Sequence, residues 1–278
     1  MKALLAHYYI KSFSKRNTDL IILCLLHELR IVTAKQIFDL LNSEYNISMQ
    51  NVQYNLVTLA RNELIGRIRS DVDKKTFCYY LTKNGHNTIG GMYSFPKVPE
   101  YNLNHHLMVT NALIDTLSIM KKNPHLHVIQ SERRQAYEIK DFNKERKGRV
   151  FSVSDFLFRF KAENGRDINW YFEIELHSKT KRRYMEGIFP KYIQALDNNL
   201  DAQLFYVTPS PYIFEELQRF KHYYTKKREV PSLKNATKNN RVPIKNVESV
   251  FERFHIIPSS KFKTELNNIE AEDTFINW

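Results

Sequence analysis

The chain predicts a mixed α/β protein of two domains, residues 1–95 and 96–278. Three observations predict it. Apolar residues at helical spacing give way to short alternating strands within the first part of the chain. The stretch "PKVPE", Pro96 to Glu100, removes backbone donors and biases the chain toward extended conformations, as a linker does. Beyond it, helical and strand patterns follow in the order α-β-β-β-α-β. With 278 residues, 42% of them hydrophobic, each domain can bury a core.

Taken in order, "NTDLIILCLLHELRIVTAKQIFDLLNSEYNISMQNVQYNLVTLARNELI" reads as three helices with short breaks. Thr33 and Gln36 make a capping box that starts the second helix, and Ser48 is the N-cap of the third. In that third helix Val52, Leu56 and Leu59 recur at helical spacing, which leaves Gln50, Gln53, Tyr54, Thr58 and Arg61 on or near the other side. After Gly66, "GRIRS" and "TFCYYLT" alternate as strands around the charged turn "DVDKK", and Thr82 opens a short helix. Three helices and a hairpin describe a winged helix-turn-helix. Its third helix enters a major groove, and its wing, with Arg67, Arg69, Lys74 and Lys75, lies along phosphates. Such a domain can also dock proteins.

Lys and Arg number 42 against 30 Asp and Glu, a net charge of +12, so the surface field attracts polyanions, nucleic acid first among them. Cys24 and Cys78 both sit in apolar runs and suggest neither a disulfide framework nor a thiolate zinc site. The apolar run "LIILCLL" is far shorter than the roughly 20 residues of a membrane span, and no signal-peptide pattern precedes it. A cytoplasmic protein without membrane partners is expected.

In the second domain a helix (about 102–122) leads to a strand (126–132), a basic loop, two strands (151–160 and 168–176), a helix (181–198) and a strand (202–208). This is the element order of the PD-(D/E)xK restriction-endonuclease-like core. Asp155 is the one carboxylate in an aromatic strand, and Glu173 and Glu175 alternate along the next. If the strands pair, the three carboxylates converge. Mg2+ or Mn2+ takes oxygen ligands, commonly one or two carboxylates with water and substrate phosphate, so the cluster could seat it against a phosphodiester. Glu132, ending the preceding strand, is a candidate fourth ligand. The core carries a lysine two positions after its acidic residue, and here that position is Glu175; Lys179 or Lys191 is left to supply the positive charge. The other reading of Glu173 and Glu175 is the solvated face of an ordinary sheet.

The winged helix, "YNLNHHLMVTNALIDTL", "SDFLFRF", "YFEIEL" and the Tyr/Lys-rich helix "RRYMEGIFPKYIQAL" together resemble the replication-relaxation proteins of mobile elements in Gram-positive bacteria. That family includes the C-class mobilisation relaxases of conjugative plasmids and integrative elements. The resemblance spans roughly residues 18–208. It implies an origin-binding, metal-dependent DNA nickase acting in replication or conjugation, with double-stranded origin DNA, the exposed single strand, and accessory or coupling proteins as partners. Asp155, Glu173 and Glu175 match its acidic positions, and His105 or His106 matches its histidine.

Two alternatives remain. One is a non-catalytic winged-helix regulator. The other is an HUH-type tyrosine nickase, with His125 and His127 of "HLH" binding metal and Tyr223 or Tyr224 as nucleophile near Lys227. The segment from Lys221 to Lys245 holds eight Lys or Arg against Glu229; it reads as a solvated loop whose tyrosines could stack on single-stranded bases.

Overall fold

The computed structural model describes residues 1–70, 73–142, 153–232 and 240–272. The chain divides into two compact units, Met1–Arg134 and Gln135–Trp278. The division falls after Arg134, beyond the proline stretch.

The first unit opens with α1 (Thr18–Leu29), β1 (Ile31–Thr33), α2 (Ala34–Asn42) and α3 (Met49–Arg61). It continues through β2 (Ile65–Arg69), β3 (Phe77–Leu81) and α4 (Lys83–Thr88) to α5 (Leu103–Met120) and β4 (Leu126–Ser131). β3 is central, with β1 and β2 antiparallel on its two sides. Both expected caps form. The Thr33 hydroxyl accepts from Gln36 N at 3.2 Å while the Gln36 amide oxygen accepts from Thr33 N at 3.0 Å. Ser48 accepts from Asn51 N at 3.2 Å. Gln36 then spends its amide NH2 on the Leu107 carbonyl at 2.8 Å and on Asn111 Oδ1 at 2.7 Å. With Leu103 and Leu107 packed beside Ile31 and Cys78, this ties α5 to the three-helix core.

Gly85 lies where α4 touches the loop after α3. A Cβ there would sit 2.1 Å from the Leu64 carbonyl oxygen, which already accepts from Thr82 N at 3.1 Å. The obstacle is backbone and cannot swing aside. Gly85→Ala is therefore expected to lower stability by about 1–3 kcal/mol, read as a reduced urea midpoint at unchanged m-value.

A charged network is buried in this unit. Glu28 is 1% exposed. It accepts from Tyr8 Oη at 2.9 Å, from Ser131 Oγ at 2.5 Å and from the His7 ring at 2.9 Å. His27, also buried, contacts the Tyr8 hydroxyl through Nδ1, and its Nε2 has no hydrogen-bond partner among the described residues. Burial, and then the Arg133 guanidinium bonded to its carbonyl, bring the His27 pKa down to about 4.

After β4 a helix, α6 (Glu132–Phe142), replaces the expected basic loop as far as the described residues run. The cause is a cap that the run of charges hides: Ser131 Oγ accepts from Arg134 N at 3.2 Å and opens the first turn. Glu132 is thus a first-turn helical residue instead of a strand end.

The second unit holds β5 (Phe156–Lys161), β6 (Asp167–Ile174), β7 (Gln203–Thr208) and β10 (Phe254–Pro258), adjacent in the order β10-β7-β6-β5. β5 runs antiparallel to β6; β6, β7 and β10 are parallel. Phe151 and Ser152 of the expected first strand lie outside the described residues. Between β6 and β7 run α7 (Lys181–Arg183), a π turn (Tyr184–Ile188) and α8 (Phe189–Asn198). Then come α9 (Pro211–Lys227), the short pair β8 (Glu229–Pro231) and β9 (Arg241–Pro243), α10 (Val247–Glu252) and, after β10, α11 (Phe262–Glu272). One face of the sheet carries stacked rings, Phe156 on Phe172 at 4.5 Å and Phe172 on Phe205 at 4.7 Å, with Phe262 of α11 edge-on to Phe172. The opposite face, with Leu204 and Tyr206, packs on Phe189, Tyr192, Leu217 and Val250 of α8, α9 and α10.

The architecture is mixed α/β with three helices and a hairpin at the N-terminus. Two details depart from the expected C-terminal loop. Lys221 to Lys227 are the last turns of α9, and Tyr224 is buried, its hydroxyl donating to the Met185 carbonyl. Tyr224 is a core residue, which removes it as a nucleophile or a stacking platform. Residues 233–239 of that segment lie outside the described residues.

Candidate functional site

Two surfaces collect the chemistry, one in each unit. On α3 the apolar stripe of Val52, Leu56 and Leu59 is buried, and Gln50, Gln53, Tyr54 and Arg61 are exposed, as the spacing predicts. Thr58 is half-buried. The β2–β3 hairpin exposes Arg67, Arg69, Lys74 and Lys75. Arg67 and Arg69 both lie over the Phe77 ring, at 4.4 and 5.4 Å from its centroid, and Arg69 also donates to the Lys74 carbonyl at 3.0 Å. Asp73 closes the turn by accepting from Thr76 N at 3.0 Å and Lys75 N at 3.1 Å. Asp71 and Val72 of this turn lie outside the described residues. The hairpin is thus a cationic ridge whose guanidinium groups are held in place by a ring beneath them.

If both arginines meet phosphate, replacing Arg67 and Arg69 together with alanine should make the slope of log affinity against log salt shallower by about 2. Fluorescence anisotropy of a labelled duplex across a salt series measures it. An unchanged slope would place the phosphates elsewhere.

The second surface lies at the adjoining ends of β5 and β6. β6 alternates strictly: Ile168, Trp170, Phe172 and Ile174 are buried against the ring face, so Tyr171 and Glu173 turn toward α8. Asp155 stands one step before the registered pair Phe156↔Phe172, which brings it level with Glu173. Its backbone N donates to the Phe172 carbonyl at 3.0 Å, and its Oδ2 accepts from Ile174 N at 2.7 Å. Gln135 fixes the preceding residue, exchanging bonds with Ser154 N at 3.1 Å, Ser154 Oγ at 3.0 Å and the Ser154 carbonyl at 3.0 Å.

Glu173 accepts a hydrogen bond from the buried Tyr192 hydroxyl of α8. Burial first, then the Asp155 carboxylate, push its pKa up to about 8, against the pull of Tyr192 and Lys179. Glu175, 4% exposed, is held by the Lys179 ammonium and by Tyr206 Oη at 2.8 Å, and its N donates to the Val207 carbonyl at 2.8 Å. Neither glutamate lies on a solvent-washed sheet face. Lys191 stands half-buried near Glu173; burial lowers its pKa and the Glu173 charge opposes that. Carboxylates and ammonium groups thus meet within one small volume. Among the described residues no three His, Cys, Asp or Glu side chains are grouped as a metal cage.

The other expected residues belong to other elements. Glu132 belongs to the first unit, where it pairs with Arg30 at 3.0 Å. His105 and His106, on α5 of that unit, make an edge-to-face contact with each other at 5.6 Å. His125 precedes β4 in a turn, its N bonded to Asn123 Oδ1 at 3.0 Å, so "HLH" is only partly strand. Tyr223 is half-buried on α9. Tyr192, Tyr206 and Gln135 were not anticipated. The first has a visible signal, a tyrosine next to Lys191 in a Tyr/Lys-bearing stretch that follows the acidic strand; Gln135 has none.

Comparison with known proteins bears on the first surface. Residues 15–85 match the family described as "Winged helix DNA-binding domain". Among solved structures, a mutant of Lactococcus lactis ZitR in apo form is similar at 24% identity, over 36% of this chain and 64% of that one, with a TM-score of 0.25. No curated protein matches the chain. No helix among the described residues is long and apolar enough to cross a membrane. The N-terminal part of this protein is a winged helix DNA-binding domain.

Proposed function

We propose that the chain is a DNA relaxase or replication-initiation protein of a mobile element, whose winged helix docks on double-stranded origin DNA while a PD-(D/E)xK-like unit nicks one strand. The observation that carries this reading is the meeting of Asp155 and Glu173 at adjoining strand ends, with Lys179 and Lys191 beside them. Two carboxylates crowded together out of water resist both being ionised, a divalent cation relieves that cost, and Mg2+ commonly binds proteins through one or two carboxylates. Asp155 and Glu173 therefore fit Mg2+ or Mn2+. Glu175, tied to Lys179 and Tyr206, serves as an outer support. When bound, the metal supplies an activated water and neutralises charge on the phosphate. The chain's own part is to aim the ligands. Ile174 N orients Asp155, Tyr192 orients Glu173, and Lys191 adds positive charge near Glu173. A relaxase also works with accessory and coupling proteins of its element.

The second reading, a regulator without catalysis, is favoured by the match confined to residues 15–85 and by Glu175 in the lysine position. One experiment separates the two. A supercoiled plasmid bearing the element's origin region is incubated with the protein and Mg2+ or Mn2+. Open circles that a chelator abolishes are expected. Tight duplex binding with no scission under either metal would leave the regulator.

A further inference from the structure

We infer that α3 reads A·T-rich duplex, with thymine methyl groups and adenine major-groove edges as its ligands. This rests on the winged helix docking on DNA through α3. Gln50, Gln53, Tyr54 and Val57 are all exposed, Tyr54 by 73% and Val57 by 47%. Their spacing of three and four residues puts them on one face, opposite Val52, Leu56 and Leu59. An exposed tyrosine and a half-exposed valine beside two exposed glutamines form a surface of definite chemistry.

That chemistry discriminates between bases. A glutamine amide pairs bidentately with adenine N6 and N7, whereas guanine is read by Arg or Lys and cytosine by Asp or Glu. From Met49 to Ala60, α3 contains no charged residue. Arg61, at its C-terminal end, lies farthest from the N-terminal turns that reach base edges in helix-turn-helix docking. Asn55 is committed elsewhere, its amide donating to the Asn51 carbonyl at 2.6 Å. The apolar members suit the thymine methyl, the one apolar group that the major groove displays. The charge needed for phosphate sits on the hairpin instead, at Arg67, Arg69, Lys74 and Lys75.

Selection of duplexes from a random pool by the full chain tests this, followed by atomic substitution in the enriched sequence. An enriched core of A·T pairs is expected. Uracil for thymine, which deletes the methyl group, or 7-deazaadenine for adenine should each weaken binding roughly five- to tenfold. Replacement of guanine by 7-deazaguanine should leave binding unchanged. In Val57→Ala the thymine-over-uracil preference should fall toward unity while affinity for the uracil duplex is retained, an outcome that a loss of folding cannot mimic. A G·C-rich core, sensitivity to 7-deazaguanine, or tight binding without sequence preference would overturn the inference and leave DNA binding intact. Retention of no duplex at all would overturn the DNA-docking reading together with it.

Discussion

Asp155→Asn is expected to cut metal-dependent strand scission by about a thousandfold or more, while affinity for the same duplex changes by less than about twofold. Asparagine keeps an oxygen that can accept from Ile174 N, so the strand ends stay in place; what it removes is the negative charge. Glu173→Gln should behave alike, because the Tyr192 hydroxyl can still donate to the amide oxygen. Single-turnover nicking of supercoiled DNA, run beside anisotropy binding, separates the two quantities. Equal scission by wild type and both variants would remove the carboxylate site from the mechanism. A pH dependence accompanies this. Without metal, Glu173 holds its proton up to about pH 8, and a ligand must lose its proton to bind, so the metal concentration for half-maximal scission should fall as pH rises from 6 to 8.

The second large effect concerns stability. Glu28→Ala should destabilise the first unit by about 3–5 kcal/mol, the range for removing one member of a buried charged set. Three donors, from His7, Tyr8 and Ser131, would lose their acceptor at once. Burial alone would raise the Glu28 pKa; its partners, led by His7, more than reverse this and hold it below the usual carboxylate range. Its stabilising contribution is therefore present above the ordinary carboxylate pKa and is lost as pH falls. His27 acts in the same direction. Its folded pKa of about 4 lies below its ordinary 6.5, so unfolding takes up a proton, and up to about 3 kcal/mol is lost as pH drops from 6.5 to 4. Urea unfolding at pH 7 and pH 4.5 should show a much lower midpoint at the acid value. A Glu28→Ala midpoint within experimental error of wild type would show the network to be dispensable.

Local signals were readable and distant ones were not. The Thr33–Gln36 box, the Ser48 cap and the exposed face of α3 depend on residues within a few positions of one another, and all three appear as the spacing predicts. Asp155 stood out because a lone carboxylate among aromatics is costly unless partnered. Its partners, however, are a backbone N–H on the next strand and a glutamine clamp on Ser154 that is 19 residues away in sequence. Nothing in strand alternation reveals those. Alternation places Glu173 and Glu175 on one face, and both do turn to the side of Tyr206; what it does not reveal is that Tyr206 and Lys179 bury and hold Glu175 just beyond the end of β6. The helix after β4 was hidden for a related reason. Its N-cap is Ser131, whose hydroxyl also serves the buried Glu28, so the start of α6 depends on a residue 103 positions upstream.

The π turn between α7 and α8 carries a further consequence. The Phe189 N–H donates to the Tyr184 carbonyl, five residues back, so this stretch takes in one more residue than an α-helix of the same rise. A residue occupies about 100° of helical arc. Lys191 and Tyr192 thus owe their heading toward Glu173 to a phase offset as well as to their identities. A homologue one residue shorter between Thr180 and Phe189 would present a different pair of side chains to the carboxylates, though every residue after the gap were the same. In this part of the chain, length is a variable of the chemistry.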